Sequence, residues 1–337
     1  KIKKSFMKII EKKKLRIAMI GGGNIAKFHV KAFNKLNVRV LHCASRLNSK
    51  TIHDFAKLHR IKNVWNNPIE LAKASDLWDG IVLCTNTESV PKLLDILIKQ
   101  KKPILVEKPV DIGTSYLKKF KRFNYSFVQV GFNRRFYPTI KEVKKFVENT
   151  KSEILVKMTI PEKVPNKKNK VKKFRHVFEN SAHGIDLLFY LFKDLNLINV
   201  SKVSLNSFDS SRIALLKTKN KHTCILIINS NSPDNFSIEI EDGQNRLLLK
   251  PFENFEYFRG IKKKNPTTSY PLRRFLPKVI VSKNIFQFNK KYNDLKPGFL
   301  EQSSAFIDLI VKKKKKFHAN LKDAYNTQKL IEKIMLS

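Results

Sequence analysis

A chain of 337 residues with 42% hydrophobic and 10% aromatic side chains has enough apolar material for two folded domains, which excludes a disordered protein. No apolar run approaches the ~20 residues that span a bilayer, and Cys43, Cys84 and Cys224 form neither a CxxC nor a Cys/His cluster, so no disulfide framework or zinc site is expected. The formal charge of +40 raises nucleic acid as a partner; the cations run through the whole chain with no nucleic-acid motif beside them, and so read as a compositional bias coating every solvent face.

Residues 1–13 are a basic extension. They lack the apolar stretch and small-residue cleavage site of a signal peptide, and isolated thiols fit a reducing compartment, so a cytoplasmic protein is expected. Leu15–Ile20 is a first strand. It runs into Gly21-Gly22-Gly23-Asn24-Ile25-Ala26, and a helix is predicted from Asn24 to about Leu36. Strand, glycine turn and helix start in that order suit a dinucleotide-binding βαβ unit. Gly21 permits the sharp turn, Gly23 lets the backbone approach a pyrophosphate, and Ala26 lets helix and strand pack closely. The N–H groups around Asn24 and Ile25 then face the phosphates.

Val38–Ala44 is a second strand. In an NAD site an acid at its end binds the ribose hydroxyls, but no acid occurs between Lys27 and Lys50. Ser45 and Arg46 stand there instead, a hydroxyl and a guanidinium that suit a 2′-phosphate, so NADP is expected in preference to NAD. The alternative is that Arg46 is one more surface cation. A helix follows at Lys50–His59, then a short strand at Val64-Trp65 and a short helix at Pro68–Lys73. Asp79–Thr85 is apolar enough for a buried parallel strand, and Thr85 and Asn86 lie at its carboxyl end, where ligands sit in such sheets. After a helix at Pro91–Lys99, the strand Pro103–Val106 leads directly into Glu107-Lys108-Pro109, which puts Glu107 and Lys108 on the same edge.

Four stretches now stand in order: the glycine turn followed by His29, PILVEKPV from Pro103 to Val110, VQVGFNRRFYP from Val128 to Pro138, and His183-Gly-Ile-Asp186. Lys296-Pro-Gly-Phe-Leu-Glu-Gln302, then Phe306, extends the series. Together they resemble the family of glucose–fructose oxidoreductase and inositol 2-dehydrogenase, often called Gfo/Idh/MocA. The resemblance implies an α/β fold with an NAD(P)-binding Rossmann domain, here residues 14–123. A second α+β domain on a large, open, mostly antiparallel sheet would follow at 124–337. It also implies that Lys108 hydrogen-bonds the reacting oxygen and that His183 carries the proton, the two meeting over the nicotinamide.

An imidazole suits proton transfer near neutral pH. Glu179 and Asp186 would share a helix face with His183, where a carboxylate orients the ring. The family commonly has Asp where Glu179 stands, and often a His after the loop Thr87-Glu88-Ser89-Val90, which this chain lacks. Arg134 and Arg135 are candidates for an anion anchor or for salt bridges. His29 is expected to be structural; Tyr137 and Lys296 are undecided.

Beyond Ser126 the runs Phe127–Phe132, Glu153–Ile160, Val203–Phe208, Ser211–Lys217, Thr223–Asn229, Phe236–Glu241 and Asn245–Lys250 predict the strands of the second sheet. Asp242-Gly243 marks a hairpin. A helix is predicted at Phe178–Phe192, an exposed basic loop at Lys262–Arg274, and closing helices at Gly298–Val311 and Leu321–Leu336, with Lys312–Lys316 a solvated turn between them. Loops at Pro161–Lys173 and Lys262–Arg274 would read the substrate. The expected activity is hydride exchange between NADP or NAD and a secondary carbinol of a sugar, polyol or nucleotide-linked sugar, in a homo-oligomer (dimer or tetramer), with no specific nucleic acid and no membrane as partner. The alternative is a non-catalytic dinucleotide-binding regulator with a polyanion-binding surface.

Overall fold

The computed structural model describes residues 15–46, 49–122, 125–163, 174–204, 211–288, 295–312 and 319–337. The expected basic extension at 1–13, most of the loop at 161–173, residues 205–208 of the predicted strand Val203–Phe208, and Lys313–Lys316 lie outside them. The chain divides into two compact units, one from Lys1–Phe136 with Asp294–Lys329, the other from Tyr137–Asn293 with Leu330–Ser337.

The first unit is built on a six-stranded parallel sheet: β1 (Arg16–Ile20), β2 (Arg39–Ala44), β3 (Asn63–Trp65), β4 (Gly80–Leu83), β5 (Ile104–Val106) and β6 (Val128–Val130), in the order β3-β2-β1-β4-β5-β6. The central strands β1 and β4 are almost continuously apolar, as a sheet covered on both faces requires; Ile17, Ala18, Met19, Ile81, Val82 and Leu83 are all fully buried. The covering helices are α1 (Ala26–Lys35), α2 (Lys50–His59), α3 (Pro68–Lys73) and α4 (Val90–Lys99). The strand order reverses between β1 and β4, and there the carboxyl ends of the strands open a crevice.

Two expectations for this unit are corrected. Phe127–Phe132, assigned from its sequence to the second sheet, supplies β6, which extends the first sheet beside β5. The domain boundary expected near 123 falls after Phe136, and the chain returns to the first unit at 294–329. The physical reason is apolar area: Phe33 on α1 is fully buried against Phe306 of the returning helix, ring centroids 6.3 Å apart. Burying a phenylalanine contributes roughly 1.5–3 kcal/mol. A Cβ built on Gly80 would lie 2.5 Å from Ile310 Cδ1, so the glycine opening β4 admits the same helix.

The second unit holds an eight-stranded mixed sheet in the order β14-β13-β12-β11-β7-β10-β9-β8. Its strands are β7 (Leu155–Glu162), β8 (Asn196–Val203), β9 (Ser211–Lys217), β10 (Thr223–Ser230), β11 (Ser237–Glu241), β12 (Asn245–Leu249), β13 (Asn254–Lys264) and β14 (Arg274–Asn284). Only β7 and β10 pair in parallel; the other neighbours run antiparallel. The Asp242-Gly243 hairpin is present: Gly243 has φ +91°, and the Asp242 carboxylate accepts the backbone N–H groups of Gln244 and Asn245 at 3.2 and 2.9 Å.

Helices α5 (Pro138–Asn149), α6 (Arg175–Glu179), α7 (Ala182–Phe192) and α8 (Ile285–Phe288) also belong to this unit, while α9 (Phe299–Lys312) belongs to the first and α10 (Leu321–Leu336) contributes to both. The single helix expected over Phe178–Phe192 is therefore two, broken at Asn180-Ser181. The basic loop expected at Lys262–Arg274 is shorter, since residues 262–264 end β13 and Arg274 begins β14, leaving 265–273 as the connection. Residues 262–264 pair with 274–276 in a hairpin that is exposed on both faces, so no apolar alternation betrays it.

Among the described residues no helix is long and apolar enough to cross a membrane, and no group of three or more His, Cys, Asp or Glu could hold a metal ion.

Candidate active site

Because β1, β2, β4 and β5 are parallel, the segments that follow them share one edge of the sheet. Gly21 follows β1 with φ +108°, and its N–H donates to Ala44 O at 2.8 Å, tying the turn to the end of β2. A Cβ on Gly21 would lie 1.9 Å from Cys84 O. The first glycine is thus demanded twice, by its left-handed backbone and by contact with β4. Gly23 differs. It is exposed, and a Cβ there would meet nothing within 4 Å. Open space therefore lies in front of α1, which begins at Ala26, two residues later than expected, and whose N-cap Ile25 supplies no side-chain hydrogen bond. A bare helix start beside an unfilled glycine turn fits a dinucleotide pyrophosphate, with Gly23, Asn24 and Ile25 presenting backbone N–H groups.

Ser45 and Arg46 follow β2, and Arg46 is exposed. Thr85 and Asn86 follow β4, where Thr85 Oγ1 donates to Asn86 Oδ1 at 3.2 Å. The Cys84 thiol beside them is pushed well up in pKa by burial and by the Glu107 charge, so it stays protonated and unreactive. Glu107 and Lys108 follow β5, and the Lys108–Pro109 peptide bond is cis. The sheet thus gathers all the residues expected at the cofactor, together with Lys108, on one edge of the first unit.

His183, Asp186 and Glu179 belong to the second unit. His183 and Asp186 share α7, one turn apart on one face. His183 is half-buried and Asp186 only 1% exposed. Gly184 lets α7 press onto β7: a Cβ there would lie 2.5 Å from Ile160 Cδ1. Glu179 closes the separate helix α6, where its Oε1 accepts from Arg175 Nε at 2.7 Å. The expected arrangement of three residues on one helix is corrected to two, with Glu179 engaged by an arginine one turn back.

A residue that sequence reasoning missed explains the break. Glu162, at the end of β7 and 2% exposed, accepts Ser181 Oγ and, at 3.1 Å, Asn180 Nδ2. Its carboxylate ties the turn before His183 to the sheet. The final residue of a β-strand carries no pattern that would have marked it.

Arg135 is 5% exposed and pairs with Asp323 at 3.3 Å inside the first unit, which favours its salt-bridge role over an anion anchor. Tyr137 is 3% exposed, and the Lys296 ammonium lies 5.7 and 6.0 Å from the ring centroids of Phe28 and Phe299. His29, expected to be structural, is fully buried on α1, and its Nε2 lies 2.7 Å from Glu107 Oε1.

Residues 15–122 match the family profile "Oxidoreductase family, NAD-binding Rossmann fold". That stretch is similar to the NAD-binding domain of the Gfo/Idh/MocA oxidoreductases. The uncharacterized oxidoreductase YrbE of Bacillus subtilis is 28% identical over 218 residues, 60% of this chain and 64% of that protein. Myo-inositol 2-dehydrogenase of Thermotoga maritima is 24% identical over 139 residues, 40% of this chain and 41% of that enzyme. The chain therefore spans less than two thirds of the length of these relatives. The crystal structure of the dehydrogenase MviM from Clostridium difficile superimposes with a TM-score of 0.70 at 20% identity, covering 96% of this chain and 99% of that one, and so shares its fold. The matched stretch includes Glu107-Lys108-Pro109 and ends before Glu179 and His183-Gly-Ile-Asp186.

Proposed function

We propose that this chain is a dehydrogenase exchanging a hydride between a nicotinamide dinucleotide and a secondary carbinol of a sugar, polyol or nucleotide-linked sugar. The observation that carries the reading is Lys108, at the carboxyl end of β5 on the same edge as the open Gly23 turn. The bound nicotinamide supplies or accepts the hydride. Lys108 hydrogen-bonds the reacting oxygen, and its ammonium stabilises the negative charge that develops there. His183 takes up the hydroxyl proton or returns it. Asp186, buried one turn further along α7, orients the imidazole, and Glu179 supplies a second carboxylate before the turn.

The inositol 2-dehydrogenase relative makes cyclic polyols the first substrates to try. Purified protein mixed with NADP or NAD and a panel of inositols, aldoses and sugar nucleotides is expected to change nicotinamide absorbance with at least one of them. Binding of neither dinucleotide would refute the reading.

NADP is the preferred cofactor, because Ser45 and an exposed Arg46 end β2 where an NAD site carries an acid. A charge-assisted hydrogen bond contributes about 1.5–3 kcal/mol, so Arg46→Asp is expected to weaken NADP affinity roughly 10–100-fold and leave NAD binding the stronger. Titration of each dinucleotide against both proteins checks this; equal affinities in the native chain would sink it.

A homo-oligomer is also proposed. On the sheet face opposite α7, Ile213 pairs with Ile227 and Leu215 with Ile225, an apolar strip that another copy would cover.

A further inference from the structure

Glu107 is held from three directions. His29 Nε2 lies 2.7 Å from its Oε1. The Lys108 backbone N–H donates to its Oε2 at 3.3 Å. Gly131, just beyond β6, sits against the carboxylate itself: a Cβ there would lie 2.8 Å from Oε1 and 2.9 Å from Cδ and Oε2. His29 is fully buried, edge-on to Phe299 with ring centroids 5.0 Å apart, and its Nδ1 is buried without a hydrogen-bond partner. A proton on Nδ1 would be a buried donor with no acceptor, so the ring's proton belongs on Nε2, where it donates to the carboxylate.

We propose that His29, Glu107 and Gly131 form a positioning device for Lys108. The carboxylate bridges α1 and the backbone of the lysine, and so sets where the lysine stem begins relative to the dinucleotide turn. A lysine stem has four rotatable carbons, so the backbone from which it starts decides whether its ammonium reaches the reacting oxygen. Displacements on the order of 1 Å away from the chemistry can cost about 100-fold in rate. His29 and Glu107 thus act through Lys108 and not on substrate. The inference rests on the role given to Lys108 above.

The test compares His29→Leu, His29→Gln and Gly131→Ala in the full chain, with two readouts. The first needs no turnover: hydrogen exchange at the Lys108 amide, measured without dinucleotide. Loss of the bridge in His29→Leu, or displacement of the carboxylate in Gly131→Ala, is expected to speed that exchange at least about tenfold. His29→Gln can still donate an N–H to Glu107 and is expected to stay within about threefold of the native rate. The second readout is steady-state kinetics: kcat is expected to fall roughly 10–100-fold in His29→Leu and Gly131→Ala, with KM for the dinucleotide changed less than about threefold and kcat restored in His29→Gln. If His29→Leu does not fold, the other two variants decide the matter. Exchange unaltered in Gly131→Ala, or His29→Gln as impaired as His29→Leu, overturns the proposal. A chain that turns over no carbinol defeats the proposed function instead, while the amide exchange still decides for or against the device.

Discussion

Lys108→Ala is expected to lower kcat roughly 10²–10³-fold while dinucleotide affinity stays within about threefold, since a preorganised charge at the reacting oxygen acts on the transition state far more than on the bound cofactor. The cofactor contacts proposed above come from other segments of the same edge: the Gly23 turn, Ser45 and Arg46, Thr85 and Asn86. Steady-state kinetics beside fluorescence titration of the reduced dinucleotide separates the two quantities. A parallel loss of binding and turnover would make Lys108 a cofactor anchor, and unchanged turnover would remove it from the chemistry. Lys108→Arg is informative as well. A guanidinium is larger, planar and always charged, so partial recovery would point to charge at the oxygen, and none to the shape of the site.

Replacing His183 by asparagine is expected to cost roughly 10²–10⁴-fold in kcat, the range for losing a positioned proton carrier. His183 is half-buried, and α7 is held to β7 by Gly184 and by the buried apolar residues Ile185, Leu187 and Leu188, so the fold should survive the change. Circular dichroism and dinucleotide binding check that. Asp186→Asn should lower kcat less than His183→Asn, because it leaves the proton carrier present but less well oriented. Should His183→Asn keep native turnover, the proton must travel by another group, and Glu179 becomes the first candidate.

Glu162 bears on the same experiment from a distance. Its carboxylate holds Ser181 and Asn180, so the carbonyls that open α7 stand where β7 ends. Here a buried acid keeps its partners among polar groups of a turn, as burial of a carboxylate requires. The order and approximate span of β1, α2, α3, β4 and β5 were legible because each is short, apolar and bounded by its own turn or cap. Asn67, for example, accepts the Ile69 N–H at 2.9 Å to open α3 at Pro68. The break at Asn180-Ser181 was not legible, because the helical pattern of apolar residues continues through it and only a strand from elsewhere in the chain interrupts it.

What the residues alone determined was local: the glycine turn after β1, the lysine after β5, the imidazole one turn from a carboxylate on α7, and the family they resemble. Backbone geometry, short-range spacing and burial impose these wherever the chain goes. What only the tertiary structure decided was non-local. It placed β6 in the first sheet, returned α9 onto α1, and brought His29 to Glu107 across 78 positions with Gly131 leaving room for the carboxylate. Apolar periodicity reports that a face is buried but carries no mark of the partner that buries it; the partner is chosen when distant segments compete for the same apolar surface and hydrogen-bonding groups.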